Sequence, residues 1–420
     1  MRRPPNRSGT SRVGDADLAY LAMDRGPVPE QFAVVLVLGD GFDIDAGTRL
    51  LGERAARVPR LRQRVVTARG GPVWAEDPSF DPARHISTRR CRRPGNEPAV
   101  LEAVLPEVVR WLRRDRPLWR AVFVTGLEGG RTALALIVHH ALADGLGGLA
   151  VLSALLDGGA PPAAAGTHPP HESRRWWRDL RSGMSATGGL FPGRVARSSL
   201  LRPTGSRRRA LSVHADLREL HDAAHRAGAT VNAAVLVAVG EALRRLLAYR
   251  GEPIEAVRVG VPVGGDPGAR DGAGNAVGLM LLTVPVTGPR ERRMARVAAQ
   301  TRARRPRAAG PAPITVLGRL FRLAAATGGY RWYMTHQRRL HIVISCLRGP
   351  ADRVSLAGVP VERMIPVAPA GAANLTMACQ ALSYAGELTV TTVADPSRCP
   401  DLGRFGRCLA AELGAVAAQR

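Results

Sequence analysis

His139-His140-Ala141-Leu142-Ala143-Asp144-Gly145 directly follows an apolar run, Ala133 to Val138, whose length and β-branched content suit a buried strand. Imidazole titrates near neutrality, so a histidine here can take a proton from a hydroxyl or amine nucleophile and return it to a leaving group. Asp144, four residues beyond His140, can fix the loop that carries the base. Gly145 can take a positive φ, or let a ligand approach the backbone closely. On their own, the two histidines also suit a satisfied pair at a strand end with no chemistry, so the flanking sequence has to decide.

Ala121 to Gly126 and Thr132 to Val138 read as a hairpin through Glu128-Gly129-Gly130, and Leu146 to Leu156 as a helix stopped by Gly158-Gly159. Toward the N-terminus, Asp15 to Met23 is a short helix with an acidic first turn, and Phe32 to Leu38 is a strand. Ile44 to Arg57 is a helix stopped by Pro59, and Glu97 to Leu112 is another. Trp74 to Arg84, with its prolines and acids, reads as irregular. From Asp157 to about Arg209 the chain is rich in Pro, Gly, Ser and Arg, as a crossover linker would be, with one helix around Trp176-Trp177.

A second mixed region follows. Asp216 to Arg226, Thr230 to Tyr249, Arg290 to Arg305 and Asp401 to Ala418 have helical patterns. Arg258 to Val263, Leu279 to Val286, Leu340 to Ser345, Ala357 to Val361, Asn374 to Tyr384 and Glu387 to Val393 have strand patterns. The expected organisation is a basic tail at 1–12, a first domain at 13–157, a linker at 158–209 and a second domain at 210–420. The fold class is α/β (α+β).

At 420 residues the chain exceeds one compact core, and two domains are the default. No stretch approaches the roughly 20 apolar residues that span a bilayer; Val231 to Gly240 is cut short by Glu241 and Arg244-Arg245. The basic N-terminus lacks the apolar core of a secretory signal. Five cysteines, Cys91, Cys346, Cys379, Cys399 and Cys408, have no metal-ligand spacing, so a reduced, cytoplasmic chain is expected. All 60 basic residues behind the formal charge of +25 are arginine. They are scattered without an aromatic platform or a helix-turn-helix, so no nucleic-acid partner is expected. The charge suits a protein that holds phosphates or lies on an anionic membrane. His221 and His225, at i and i+4, lack a third ligand and read as an exposed polar face; no metal is expected.

The motifs, in order, resemble the bacterial wax ester synthase/acyl-CoA:diacylglycerol acyltransferase family, one branch of the HHxxxDG acyltransferases. The pieces are Asp15 to Leu21, Pro72-Val73-Trp74 with Asp77 to Asp81, Arg116-Pro117-Leu118-Trp119, and Gly126 through the histidine pair. Ala229-Thr230-Val231-Asn232, Gly274-Asn275, Leu356 to Pro360, Leu382 to Leu388 and Val393-Ala394-Asp395 complete the series. The resemblance implies two chloramphenicol-acetyltransferase-like domains meeting at a central tunnel, with His140 as general base and His139, Asp144 and Gly145 shaping its loop. Pro117, Leu118 and Trp119 would line the acceptor site, and Asn232 and Asn275 would contact substrate. No cofactor is implied beyond acyl-CoA as co-substrate. The acceptor would be diacylglycerol or a long-chain alcohol, met at a peripheral membrane or lipid-droplet surface.

The sequence departs from the family pattern at several places. Ala233 stands where an Asp is usual, Arg120 where a Glu is usual, and Ser345-Cys346-Leu347-Arg348-Gly349-Pro350 replaces Ser-Asn-Val-Pro-Gly-Pro. Val261-Pro262-Val263 runs into Gly264-Gly265-Asp266 instead of Ser-Val-Arg. These changes leave two other readings open: acyl transfer to a specialised-metabolite alcohol or amine, and a non-catalytic lipid-binding homologue.

Overall fold

Two six-stranded sheets organise the protein in a computed structural model that describes residues 10–69, 71–159, 194–264, 277–308, 318–369 and 374–418. In chain order, the first half contains β1 (Thr10–Arg12), α1 (Asp15–Met23), β2 (Gln31–Leu38), α2 (Ile44–Arg57), α3 (Pro59–Arg62), β3 (Gln63–Ala68), β4 (Gly71–Glu76) and β5 (Ile86–Arg90). It continues with α4 (Glu97–Val108), β6 (Trp119–Thr125), β7 (Thr132–His139) and α5 (Gly145–Leu155). The second half contains β8 (Arg209–Asp216), α6 (Leu217–Arg226), α7 (Val231–Tyr249), β9 (Ala256–Gly264), β10 (Val277–Pro285), α8 (Arg290–Ala308), α9 (Gly318–Ala326) and α10 (Gly329–Thr335). It ends with β11 (Ile342–Arg348), β12 (Ser355–Leu356), β13 (Val359–Val367), β14 (Met377–Tyr384), β15 (Glu387–Ala394) and α11 (Leu402–Ala417).

The first sheet runs β12-β13-β2-β7-β6-β5 and the second β10-β9-β11-β14-β15-β8, with a small sheet β1-β4-β3 beside the first. Every residue of β2 and of β7 is buried, because both are inner strands covered on both faces. The hairpin through Glu128-Gly129-Gly130 forms as expected, with Trp119 opposite Val138. In the second unit, α7 is capped by the Thr230 hydroxyl and buried over most of its length. Glu241, which interrupts its apolar run, is buried in company: Arg244, Arg245 and Arg293 all donate to its carboxylate.

Several expectations need correction. Thr10 to Arg12, placed in the tail, pair with β4 as β1. Part of the stretch read as irregular, through Glu76, belongs to β4. Ala357 and Gly358 are not strand but the turn between β12 and β13, with φ of 52° and 77°. The strand that follows runs to Val367 and pairs with β2. A segment of the nominal second domain therefore completes the first sheet. Asp157 holds it there: the carboxylate accepts from Ser355 Oγ (2.8 Å), the amides of Ala357 (3.1 Å) and Gly358 (2.9 Å), and Arg54 (2.7 Å). Although burial opposes the charge, these donors hold the Asp157 carboxyl down at about 2. Helices α9 and α10 fall in a stretch read only as a Pro-rich break. The helix expected around Trp176-Trp177 lies outside the described residues.

Candidate active site

The strand β7 delivers the histidine pair. His139 is its last residue, opposite Gln31 on β2, and its amide donates to the Leu118 carbonyl. His140 continues onto the other neighbour, its amide donating to the Glu30 carbonyl at 2.9 Å. The chain then turns, with the amides of Leu142 and Ala143 donating to the His139 carbonyl. Asp144 ends the turn as the N-cap of α5, its carboxylate accepting from the Gly147 amide at 2.8 Å.

Gly145 is the first residue of α5 and not a positive-φ glycine, so backbone freedom is not its reason for being there. A Cβ at this position would lie 3.2–3.3 Å from the methyls of Leu347 on β11. The requirement is close approach of the second sheet's strand to the motif.

The two imidazoles have different surroundings. His139 is enclosed at 3% exposure, and its Nδ1 accepts from the Ala141 amide at 2.9 Å, which leaves the proton of the neutral ring on Nε2. That Nε2 lies 3.1 Å from the carboxylate of Asp24, also 3% exposed. Asp24 follows α1 and also accepts from the Glu30 amide (2.8 Å) and Arg114 (3.1 Å). Burial works to raise its pKa, but His139, the Glu30 amide and Arg114 outweigh it and hold the carboxyl below its ordinary value.

His140 is half-buried between two aromatic rings, Tyr20 stacked at 5.0 Å and Phe32 tilted at 4.8 Å. Burial, with His139 beside it, pushes the imidazole down to about 3 against a smaller upward pull from Asp24, which favours the neutral ring at physiological pH. Phe32 in turn fills the space left by Gly148, where a Cβ would sit 2.6 Å from its ring.

Tyr20, Asp24 and Phe32 were not singled out from the sequence. Tyr20 lies inside the Asp15 to Leu21 block, so that block marks the segment laid over His140. Asp17 of the same block accepts from the Trp74 indole at 3.3 Å, joining it to Pro72-Val73-Trp74.

The acceptor-site candidates are placed differently from one another. Pro117 and Leu118 are buried, and the Leu118 carbonyl supports His139. The Trp119 indole is enclosed, donates to the Leu61 carbonyl at 2.6 Å, and stacks on His85 at 4.5 Å. His85 forms one wall of a polar cavity of about 230 Å³, shared with Arg64, Asp77, Asp81 and Arg116, where the Asp77 to Asp81 and Arg116 to Trp119 blocks converge. His140 does not line it.

Asn232 occupies the first turn of α7, and its Oδ1 is buried without a hydrogen-bond partner among the described residues. Asn275 lies outside the described residues. Arg120 turns away from the histidines and donates to Glu107 on α4 at 2.8 Å. His221 and His225 stack on each other on an exposed helix face.

The profile of the wax ester synthase/diacylglycerol acyltransferase catalytic domain matches residues 37–187, and that of the WS/DGAT C-terminal domain matches residues 273–416. The chain belongs to this family. It is therefore an O-acyltransferase. A relative from Mycobacterium tuberculosis, named as a probable diacylglycerol O-acyltransferase, is 28% identical over 413 residues, covering 89% of this chain and 88% of the relative. Among solved structures, the wax ester synthase/diacylglycerol acyltransferase of Marinobacter aquaeolei superposes with a TM-score of 0.70 at 19% identity, covering 97% of this chain and 98% of that one. The first condensation domain of the calcium-dependent antibiotic synthetase superposes equally well, at 0.70 with 20% identity over 99% and 97% of the two chains. Both likenesses establish the fold: two mixed α/β domains of the condensation-domain type.

Proposed function

We propose that this member of the family moves a fatty acyl group from acyl-CoA to the hydroxyl of diacylglycerol, a long-chain alcohol or both. The observation that carries the reading is the His140 ring, set just past the end of β7 between Tyr20 and Phe32, next to a buried His139–Asp24 pair. His140 takes the proton of the acceptor hydroxyl as its oxygen attacks the thioester carbonyl. A tetrahedral intermediate forms, the C–S bond breaks, and the imidazolium returns the proton to the departing CoA sulfur. The new bond is an ester C–O bond, and acyl-CoA is consumed as co-substrate in a ternary complex without an acyl-enzyme.

The low pKa of His140 makes the imidazolium costly, and the ionised Asp24 carboxylate behind His139 offsets part of that cost in the transition state. Both substrates would reach His140 through a tunnel between the two domains. Pro117 and Leu118 would border the acceptor side, and the spare acceptor of Asn232 would serve a substrate donor. The excess of arginine suits the phosphates of CoA. Substrates of this kind dissolve in lipid, so the enzyme works at the surface of a membrane or lipid droplet.

Product analysis with palmitoyl-CoA and a panel of acceptors tests the reading. Triacylglycerol or wax ester is the expected product. A product formed only with polar or polyketide-like acceptors, or tight acyl-CoA binding without turnover, would replace this reading with one of its two rivals.

A further inference from the structure

Helices α9 and α10 pack over α1, the segment that carries Tyr20 onto His140. Their inward contacts are complete. Phe321 and Ala325 are buried, Phe321 against Ala19 and Met23, and Tyr330 meets Phe321 edge-on at 5.0 Å. Arg25 ties the end of α1 to the Ala326 carbonyl at 3.2 Å, and Arg322 pairs with Asp15 at 2.9 Å.

A water-facing helix whose core stripe is already spent should be polar on its other side. The outer side here is apolar. Leu323 is 62% exposed and Trp332 65%, with Ala324, Ala326 and Tyr333 also exposed. Among the described residues, Leu323 and Trp332 are the two most exposed large hydrophobic side chains, and they lie on adjacent helices. The exposed Arg331 is interleaved with them, and Arg339 donates to the Tyr333 hydroxyl at 2.8 Å. The surrounding sequence is one-sided in charge: the sixty residues from Arg292 to Ala351 hold thirteen arginines and no carboxylate. Exposed apolar and aromatic side chains with the exposed Arg331 among them match an anionic lipid interface.

We propose that the outer face of α9 and α10 docks the enzyme onto an anionic lipid surface, with Leu323, Trp332 and Tyr333 entering the headgroup region and Arg331 meeting lipid phosphates. The choice of a lipid surface rests on the neutral-lipid reading above. Docking here sets α1, the segment that carries Tyr20 onto His140, beside the phase that dissolves the acceptor.

Vesicle flotation tests the proposal without using turnover. The wild-type chain is expected to float with phosphatidylcholine vesicles containing about one-third phosphatidylglycerol, to float at least about tenfold less with phosphatidylcholine alone, and to be released by high salt. Leu323→Ser combined with Trp332→Ser should lower binding by about tenfold or more, and Arg331→Glu should lower it further. Tyr249→Ser, at an exposed tyrosine on α7, should bind as wild type. All these variants should keep wild-type turnover of a short acyl-CoA with a water-soluble alcohol, which confirms that they fold. Undiminished vesicle binding by the double variant, or no vesicle binding by the wild type, overturns the proposal. Patch-dependent binding without turnover of any neutral-lipid acceptor leaves the docking surface standing and overturns the substrate reading instead.

Discussion

His140 is a base whose surroundings favour its neutral form. Because its folded pKa is depressed to about 3, kcat/KM should stay level as pH falls through 6.5, the ordinary imidazole value. A pH–rate profile that drops by half near 6.5 would show that the ring is not desolvated as described. The same shift has a stability consequence. A group with a lowered folded pKa contributes stability above its unfolded pKa, and that contribution drains away as pH falls from 6.5 toward 3. Asp24 acts through His139 and is a positioning residue. Asp24→Asn removes the negative charge while leaving the shape, and should lower kcat about tenfold or more with KM little changed. An unchanged kcat, or a loss confined to KM, would contradict that role. Arg120 presents a simpler case. Its charge is taken up by Glu107, which also receives Arg89 and Arg110, so this departure from the family pattern places no charge beside the histidines. Ala233 sits in the apolar core of the second unit.

Elements explain the glycine of the motif. The altered Ser345 to Pro350 block supplies Leu347, which presses on Gly145 at the start of α5. Gly145→Ala should therefore destabilise the protein by about 1–3 kcal/mol through overpacking. Leu347→Ala in the same chain should recover most of that loss, because the two changes share one contact. Strictly additive losses in denaturant unfolding would rule the contact out.

Elements also show what the sequence displays and what it hides. The hairpin before the histidines, the helix after Asp144 and the long α7 were all legible, since period and capping residues are local signals. The partner of β13 was not legible: its residues read as a strand, but nothing in them says that it joins β2 across the molecule. Asp24 was hidden for the same reason, since a buried acid far along the chain from His139 leaves no spacing pattern. Of the two reasons the sequence offers for Gly145, a positive φ is not used, and the close approach to its backbone is made by Leu347 of another strand.

At the scale of the whole molecule, the two halves are joined by a polar cluster as well as by β13. His214 on β8 lies 2.8 Å from Glu97 on α4 and 3.1 Å from Glu387 on β15, while Arg363 on β13 bridges Glu97 and Glu387. Burial disfavours charging His214, yet Glu387 and Glu97 overcome it and raise the imidazole to about 9. A raised folded pKa contributes stability that is complete below the unfolded value of 6.5 and lost as pH climbs through 9. The melting temperature of the wild type should thus fall toward that of His214→Ala between those limits, by on the order of 2 °C. Parallel melting curves across the range would show that the cluster does not clasp the halves.

The same molecule-wide arrangement brings β7, α1 and β2 together around one imidazole. The most direct measurement is release of free CoA from palmitoyl-CoA by the purified protein with diacylglycerol, comparing the wild type with a folded His140→Ala variant. A loss of at least about 10²-fold is expected, since base catalysis contributes about 10²–10⁴-fold. Wild-type turnover by the folded variant would contradict His140 as the base.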